Sequence, residues 1–230
     1  MTKEKSKIVK IITCISLAII SILFTLLVKF VDVKNIGSSN TPVGFSTLNN
    51  FIFETIGVNI IWYHITDYLG LLPIPMALAY LVIGVIQSIK RKSLFKVDKE
   101  IIILGIFYIL TVAIYIFFEK VIVNFRPVLL DGILEASYPS SHTFITICLC
   151  TSSIMINKKL FNSKLTKILN IFLVVIMTFI IVGRLISGVH WFTDILGGII
   201  ISSTLLAIFY SIISSLPRTN NNEIKQTKQE

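Results

Sequence analysis

The sequence predicts an all-α membrane protein: six helices crossing the bilayer in one bundle, with a further helix at the membrane interface in the first outer loop. Three observations carry this reading. Of 230 residues, 54% are hydrophobic and 14% charged, which leaves too little polar surface for a water-soluble globule. Long apolar runs recur along the chain, and lysine and arginine concentrate in alternate connecting segments.

A span needs about 20 mostly apolar residues, and such runs occupy residues 8–30, 69–89, 100–118, 165–187 and 192–216. Lys3, Lys5, Lys7 and Lys10 precede the first run, as in a signal peptide. The run is longer than the roughly 7–15 residues of a signal core and no small-residue cleavage site follows, so it is expected to remain as a helix. Residues 143–157 form a shorter sixth run carrying Thr143, Thr146, Thr151, Ser152 and Ser153; a helix of this kind suits a position among other helices, where hydroxyls bond across. Between the first two runs, the Gly/Ser/Asn/Thr/Pro stretch 37–42 reads as a loop. Residues 51–68 mix apolar side chains with Glu54, Asn59, His64 and Asp67 and include Trp62, Tyr63 and Tyr68, which suits the interfacial helix. A seventh crossing there reverses every later loop against the charge pattern. Residues 1–216 form one domain with no internal repeat, and residues 217–230, polar and rich in Asn and Gln, read as a disordered cytoplasmic tail.

Orientation follows from the cations, which short loops keep on the cytoplasmic side. One side holds Lys3, Lys5, Lys7, Lys10, Lys90, Arg91, Lys92, Lys96, Lys99, Lys158, Lys159, Lys164, Lys167, Arg218, Lys225 and Lys228, which is 16 of the 21. The other keeps Lys29, Lys34, Lys120, Arg126 and Arg184. Both termini are therefore expected in the cytoplasm. The formal charge of +9 is a topology signal and gives no basic face for nucleic acid. Cys14, Cys148 and Cys150 fall inside apolar runs as packing residues, without disulfide or metal-ligand spacing.

Three polar clusters interrupt the apolar chain, all on the outer side of this topology: Glu119 and Lys120 through Asn124, Arg126 and Pro127; Tyr138-Pro139-Ser140-Ser141-His142; and Arg184 through Ser187, Gly188, His190 and Asp194. Ionisable residues at membrane depth are costly, so each cluster is a candidate site. In the third, a helix beginning near His190 places Asp194 one turn on, on the same face. Its carboxylate can then fix the imidazole tautomer and leave the other ring nitrogen free to attack. Arg184 offers a fixed fork of donors for a tetrahedral oxyanion. In the second, Ser140 and Ser141 sit where a helix begins, a natural seat for phosphate, and His142 can protonate a departing alkoxide. Plainer readings stand beside these. Serines before a helix are ordinary caps, Arg126 and Arg184 can snorkel as helix-end cations, and His64 reads as a polar interfacial residue. A metal fits poorly, since acidic and cysteine ligands are sparse.

These residues resemble the type-2 phosphatidic acid phosphatase superfamily, whose pattern is Lys-x6-Arg-Pro, Pro-Ser-Gly-His and Ser-Arg-x5-His-x3-Asp. Here stand Arg126-Pro127, Pro139-Ser140-Ser141-His142, and Gly183-Arg184 followed by His190 and Asp194. The resemblance covers the six-span core. It implies a phosphohistidine mechanism in which His190 attacks phosphorus, Asp194 orients it and His142 protonates the leaving group. Arg126, Arg184, Ser140 and the amides near Ser141 would cradle the phosphate, and no metal or other cofactor is implied. Fixed arginines can supply the charge neutralisation that phosphoryl transfer needs. Ser141 stands where the family has Gly, and Gly183 where it has Ser. The family lysine position holds Glu119, with Lys120 one residue late. If Glu119 faces the site it is expected to pair with Arg126 or Arg184 and aim that guanidinium; the alternative is Lys120 bending back as a point charge.

The function expected is therefore that of a lipid phosphatase acting on a phosphomonoester or diphosphate at the outer face of a bacterial plasma membrane. Undecaprenyl diphosphate, phosphatidylglycerol phosphate and phosphatidic acid are the candidate substrates. The Lys/Ile/Asn-rich composition favours recycling of a polyprenyl diphosphate carrier. A phosphotransferase to a lipid or sugar hydroxyl, and a transporter or scaffold with a dead site, are the competing readings. Oligomeric state is not legible.

Overall fold

The computed structural model describes residues 3–161 and 163–217; the expected tail, beyond Pro217, lies outside the described residues. The described residues are mostly helical, with one two-stranded sheet. Its elements are α1 (Lys3–Phe30), β1 (Lys34–Ile36), β2 (Thr41–Val43), α2 (Ser46–Ile56), α3 (Ile60–Leu69), α4 (Pro73–Lys90), a 3-10 turn at Leu94–Lys96, α5 (Lys99–Lys120), α6 (Ser141–Leu160), α7 (Lys164–Ser187) and α8 (Phe192–Ser215). Among the described residues, five stretches are long and apolar enough to cross a membrane: Glu4–Phe30, Ile60–Lys90, Lys99–Lys120, Lys164–Ser187 and Phe192–Ser215. Their outward faces carry exposed side chains such as Ile12, Ile22, Ile109 and Ile171, a surface that only lipid satisfies. The protein is an integral membrane protein.

α6 falls outside those five because its hydroxyls and Lys158 and Lys159 lower its apolar content. It sits inside the bundle, packed against α4, α5, α7 and α8, and buries Thr143, Thr146, Ser152 and Ser153. Tyr80 of α4 donates to Asn157 at 2.7 Å, and Asn157 in turn donates to Asn170 of α7 at 2.9 Å. The polar helix is thus the hub of the bundle, because buried hydroxyl and amide groups need partners that lipid cannot offer.

The segment 51–68 departs from the expected interfacial helix. It divides at Gly57 into α2 and α3, and α3 packs along α7. Asn59 N–H donates to Ser187 O at 3.0 Å, the Trp62 and Phe179 rings lie 5.2 Å apart, and Leu69 packs on the Leu173, Ile176 and Ile180 cluster. After a short turn at 70–72 the chain continues into α4, so that Ile60–Lys90 is one apolar stretch. Trp62 and Leu69 of α3 find partners on α7, while Ile60, Ile61, Ile65 and Tyr68 stay exposed. The expected loop at 37–42 is also partly ordered, as Thr41 and Pro42 enter β2 opposite Ile36 and Asn35, drawn in by the fully buried Val43.

Polar contacts define the two ends of the bundle. At one, Lys10 Nζ donates to Ser214 Oγ, Arg91 pairs with Asp98 at 2.7 Å, and Lys159 lies 3.6 Å from the buried Glu100 while donating to Ile213 O and Leu216 O. These bonds gather the start of α1 and α5 with the ends of α4, α6 and α8, the termini and loops that hold most of the cations. At the other, Lys29 donates to Ile122 O and Thr25 Oγ1 lies 2.9 Å from Tyr138 Oη. All three polar clusters meet there.

Candidate active site

The site is built from loops closed by local turn chemistry and from helix ends. After α5 the chain makes a narrow excursion that pairs Phe125 with Ala136 and Leu130 with Ile133. At its tip Asp131 and Gly132 both have positive φ, 50° and 76°, the requirement of a type I′ turn. This register sets Glu135 opposite Arg126: Arg126 N–H donates to Glu135 O at 3.0 Å, and Arg126 Nε lies 3.0 Å from Glu135 Oε2 as an ion pair. The β1–β2 hairpin covers the same loop, Ser38 N–H donating to Pro127 O at 2.9 Å.

α7 ends at Gly188, whose left-handed φ of 65° turns the chain sharply and swings His190 back into the bundle. α8 begins at Phe192, two residues later than the helix start on which the His190–Asp194 spacing was read. Asp194 closes its N-terminus: Oδ2 accepts from Trp191 N–H at 2.9 Å and Oδ1 from Asn124 Nδ2 at 3.2 Å. His190 Nδ1 lies 3.8 Å from Asp194 Oδ2, beyond hydrogen-bond length, so the expected direct bond is not made and the carboxylate only faces the ring. Both residues are buried. Trp191 Nε1 donates to Phe125 O at 2.7 Å and Ser140 N–H to Asp194 O at 2.9 Å, which ties all three clusters to the head of α8.

Of the expected site residues, Ser140 is fully buried and precedes α6, its Oγ accepting from Thr143 at 3.2 Å. Ser141 and His142 open that helix, whose first-turn N–H groups have no intrahelical partner. A narrow cleft is lined by Tyr115, Phe118, Glu119, Ser137, Ser141 and His190. Lys120 ends α5 at the exposed surface. The expected pairing of Glu119 with an arginine is corrected: Arg126 pairs with Glu135, and Arg184 Nη2 donates to Asp67 Oδ1 at 2.9 Å. His64 is exposed.

Asp67 and Glu135 were missed as site residues. Glu135 had a readable signal in the Asp131-Gly132 pair between apolar runs, which marks a hairpin. Asp67 had none beyond being a carboxylate in an apolar helix, because α3 reaches Arg184 only by docking on α7.

The electrostatics are those of an anion seat. Among the described residues, no hydrogen-bond partner is found for Arg126 Nη1, Arg184 Nε and Nη1, or His142 Nδ1, all buried. Buried donors are costly to leave unmade, so the cluster is arranged for an acceptor with several oxygens. Burial, then the charges of Arg126 and Arg184, hold the His190 imidazole well below the ordinary histidine range. Its ring is neutral near pH 7 and keeps a lone pair for attack. Among the described residues no group of three or more His, Cys, Asp or Glu side chains has metal-binding geometry.

A multi-span helical bundle with a buried histidine flanked by arginines at one end defines the class: an integral membrane protein with a candidate site at that end. The family model described as the PAP2 superfamily matches residues 76–218, and the chain belongs to that superfamily. A crystal structure of a transmembrane PAP2-type phosphatidylglycerolphosphate phosphatase from Bacillus subtilis shares the fold. It superposes with a TM-score of 0.58 at 18% identity, over 90% of this chain and 98% of the other. No curated protein matches the chain significantly.

The glycine at position 183, where the family resemblance has serine, has a steric cause. A Cβ there collides with Thr66 Cγ2 and meets Trp62 Cε3 at 3.1 Å, so α3 docks on α7 only because the side chain is absent. Gly183→Ser, although it restores the family residue, is expected to lower stability by about 1–3 kcal/mol through overpacking and to reduce activity. The Thr66→Ala/Gly183→Ser double variant is expected to recover most of both. Thermal unfolding in detergent and turnover measure this; an unchanged melting temperature for the single variant excludes the steric account.

Proposed function

We propose that the protein hydrolyses a phosphomonoester or diphosphate of a lipid through a phosphohistidine at His190. The observation that carries the reading is the set of buried arginine and histidine nitrogens without protein partners around a neutral imidazole. Such an array fits the equatorial oxygens of a transferring phosphoryl group. Membership of the PAP2 superfamily, and the shared fold of a phosphatase named for phosphatidylglycerolphosphate, support a lipid phosphate as substrate.

In this mechanism the phosphate enters with its oxygens on Arg126, Arg184 and the first-turn amides of α6 after Ser140 and Ser141. His190 Nε2 attacks phosphorus as the bond to the leaving oxygen breaks, and His142 gives that oxygen a proton. Asp194 faces Nδ1 and offsets the positive charge that builds on the ring. A water then attacks phosphorus, its proton returning to His142, and inorganic phosphate leaves with His190 restored. The lipid tail lies in the bilayer while the headgroup reaches the bundle end. Among lipid phosphates, a polyprenyl diphosphate is the first candidate. Purified protein is tested for phosphate release against undecaprenyl diphosphate, phosphatidylglycerol phosphate and phosphatidic acid; no release from any of them removes the reading.

We further propose six crossings, with α6 as the central one, and the site on the extracytoplasmic face. Asp131 and Lys92 are exposed at opposite ends. After replacement of Cys14, Cys148 and Cys150, Asp131→Cys is expected to react with an impermeant thiol reagent in intact cells, and Lys92→Cys only after lysis. The opposite pattern places the site in the cytoplasm.

A further inference from the structure

α3 brings to the site a carboxylate that lies before the stretch matched by the family model, residues 76–218. Its position along α7 is set by Asn59 at Ser187, Trp62 against Phe179, and Thr66 over Gly183. With that register, Tyr63 and Asp67, one turn apart on α3, both reach the guanidinium of Arg184. The Tyr63 ring centre lies 5.1 Å from Arg184 Cζ, and Asp67 Oδ1 accepts from Arg184 Nη2 at 2.9 Å. The same Oδ1 lies 3.1 Å from His142 Nε2. Gly70, just past α3, closes over that imidazole, since a Cβ there would stand 2.6 Å from His142 Cδ2.

We propose that Asp67 is a positioning residue for the phosphatase reaction: one carboxylate oxygen aims the Arg184 fork and fixes the orientation and tautomer of His142. It deepens the function proposed above and rests on it. Arg184 is half engaged, Nη2 on Asp67 while Nε and Nη1 remain free of protein partners. A guanidinium held at one corner keeps its remaining donors in a fixed plane, the preorganisation that oxyanion binding requires. His142 donates through Nε2–H to Asp67, which leaves Nδ1, buried and without a protein partner, as the nitrogen that carries the proton to the leaving oxygen. When Nδ1 is protonated, the imidazolium pairs with the Asp67 carboxylate. When that proton passes to the leaving oxygen, neutral His142 keeps Nε2–H and the same hydrogen bond, and the attacking water later reloads Nδ1. The ring thus gives and takes a proton at one nitrogen without rotating.

Two measurements on the full chain in detergent test this. In the first, wild type, Asp67→Asn and Asp67→Ala are compared on phosphatidic acid, whose alkoxide leaving group needs a proton, and on p-nitrophenyl phosphate, whose phenolate does not. Loss of the Asp67–His142 contact is expected to lower kcat on the alkyl ester about 10²-fold and on the aryl ester less than about fivefold. The loosened Arg184 is expected to raise KM for both esters alike. Equal kcat losses on the two esters, as from a general structural defect, overturn the proposal. So does tighter binding or faster turnover in the variants, the outcome if the Asp67 carboxylate competes with phosphate for Arg184.

The second measurement needs no turnover. The chain has three histidines, so ¹⁵N-histidine labelling with single replacements assigns His142. Wild type is expected to show the Nε2–H tautomer, and Asp67→Ala to lose that preference. A tautomer indifferent to Asp67 overturns the inference even if the enzyme is active. Absence of wild-type phosphate release with a responsive tautomer sinks the function and leaves the Asp67 contact standing.

Discussion

His190→Ala is expected to lower turnover by about 10⁴-fold or more, on the order of 5 kcal/mol of transition-state stabilisation. In the proposed mechanism the imidazole forms and then releases the bond to phosphorus, and its surroundings suit that step. It is buried, flanked by Arg126 and Arg184, and kept neutral. Alanine leaves the arginines in place, so substrate binding is expected to survive while chemistry stops. Rapid quench with ³²P-labelled substrate is the measurement. Wild type is expected to trap an acid-labile, base-stable phosphoprotein that His190→Ala lacks, whereas His142→Ala is expected to form the label when the leaving group is good. Turnover near the wild-type rate in His190→Ala rules out the covalent mechanism.

Arg184→Lys is expected to reduce kcat about 10²–10³-fold, the usual effect of removing one preorganised oxyanion donor. Charge is retained in this variant, so the loss reports geometry. The guanidinium spends Nη2 on Asp67, while Nε and Nη1 have no hydrogen-bond partner among the described residues; the proposal gives those two donors to the substrate. A lysine ammonium is a point donor on a flexible stem and cannot hold the same three directions in one plane. Because Arg184 is fully buried, the variant is first compared with wild type by size exclusion and thermal melting. A folded Arg184→Lys protein within about fivefold of wild-type kcat excludes Arg184 as an oxyanion clamp, for which one lost donor costs far more.

Much of the bundle is legible in the chain because membrane insertion is a local property. Apolar runs of span length recur where the helices stand, and the sites of Arg126, Ser140, His142, Arg184, His190 and Asp194 are marked because charge and hydroxyl clusters break those runs. The structure brings these residues together at the head of α8. Legibility failed where a side chain had two possible partners. Glu119 was expected to hold an arginine, but the Asp131–Gly132 turn gives Arg126 to Glu135, and α3 gives Arg184 to Asp67. The segment 51–68 reads as one interfacial helix from its mix of polar and apolar residues with Trp62, Tyr63 and Tyr68, a pattern that does not reveal the break at Gly57 or the docking of α3 on α7. In the structure Thr66 turns its hydroxyl back to Trp62 O at 2.8 Å, and Asp67 has a guanidinium to meet.

By itself the sequence determined that this protein lives in a membrane, where its long apolar helices lie, which loops gather the cations, and the spacing of His190 from Asp194. Those properties are sums over neighbouring residues, since transfer free energy and loop charge accumulate along the chain. Only the tertiary structure decided which carboxylate meets which arginine, that α3 forms a wall of the site, and that position 183 must lack a side chain. Asp67 and Arg184 are 117 residues apart. A contact between them depends on a few ångströms of helix docking, because ion pairs and overlaps change over distances far shorter than any periodicity in the chain records.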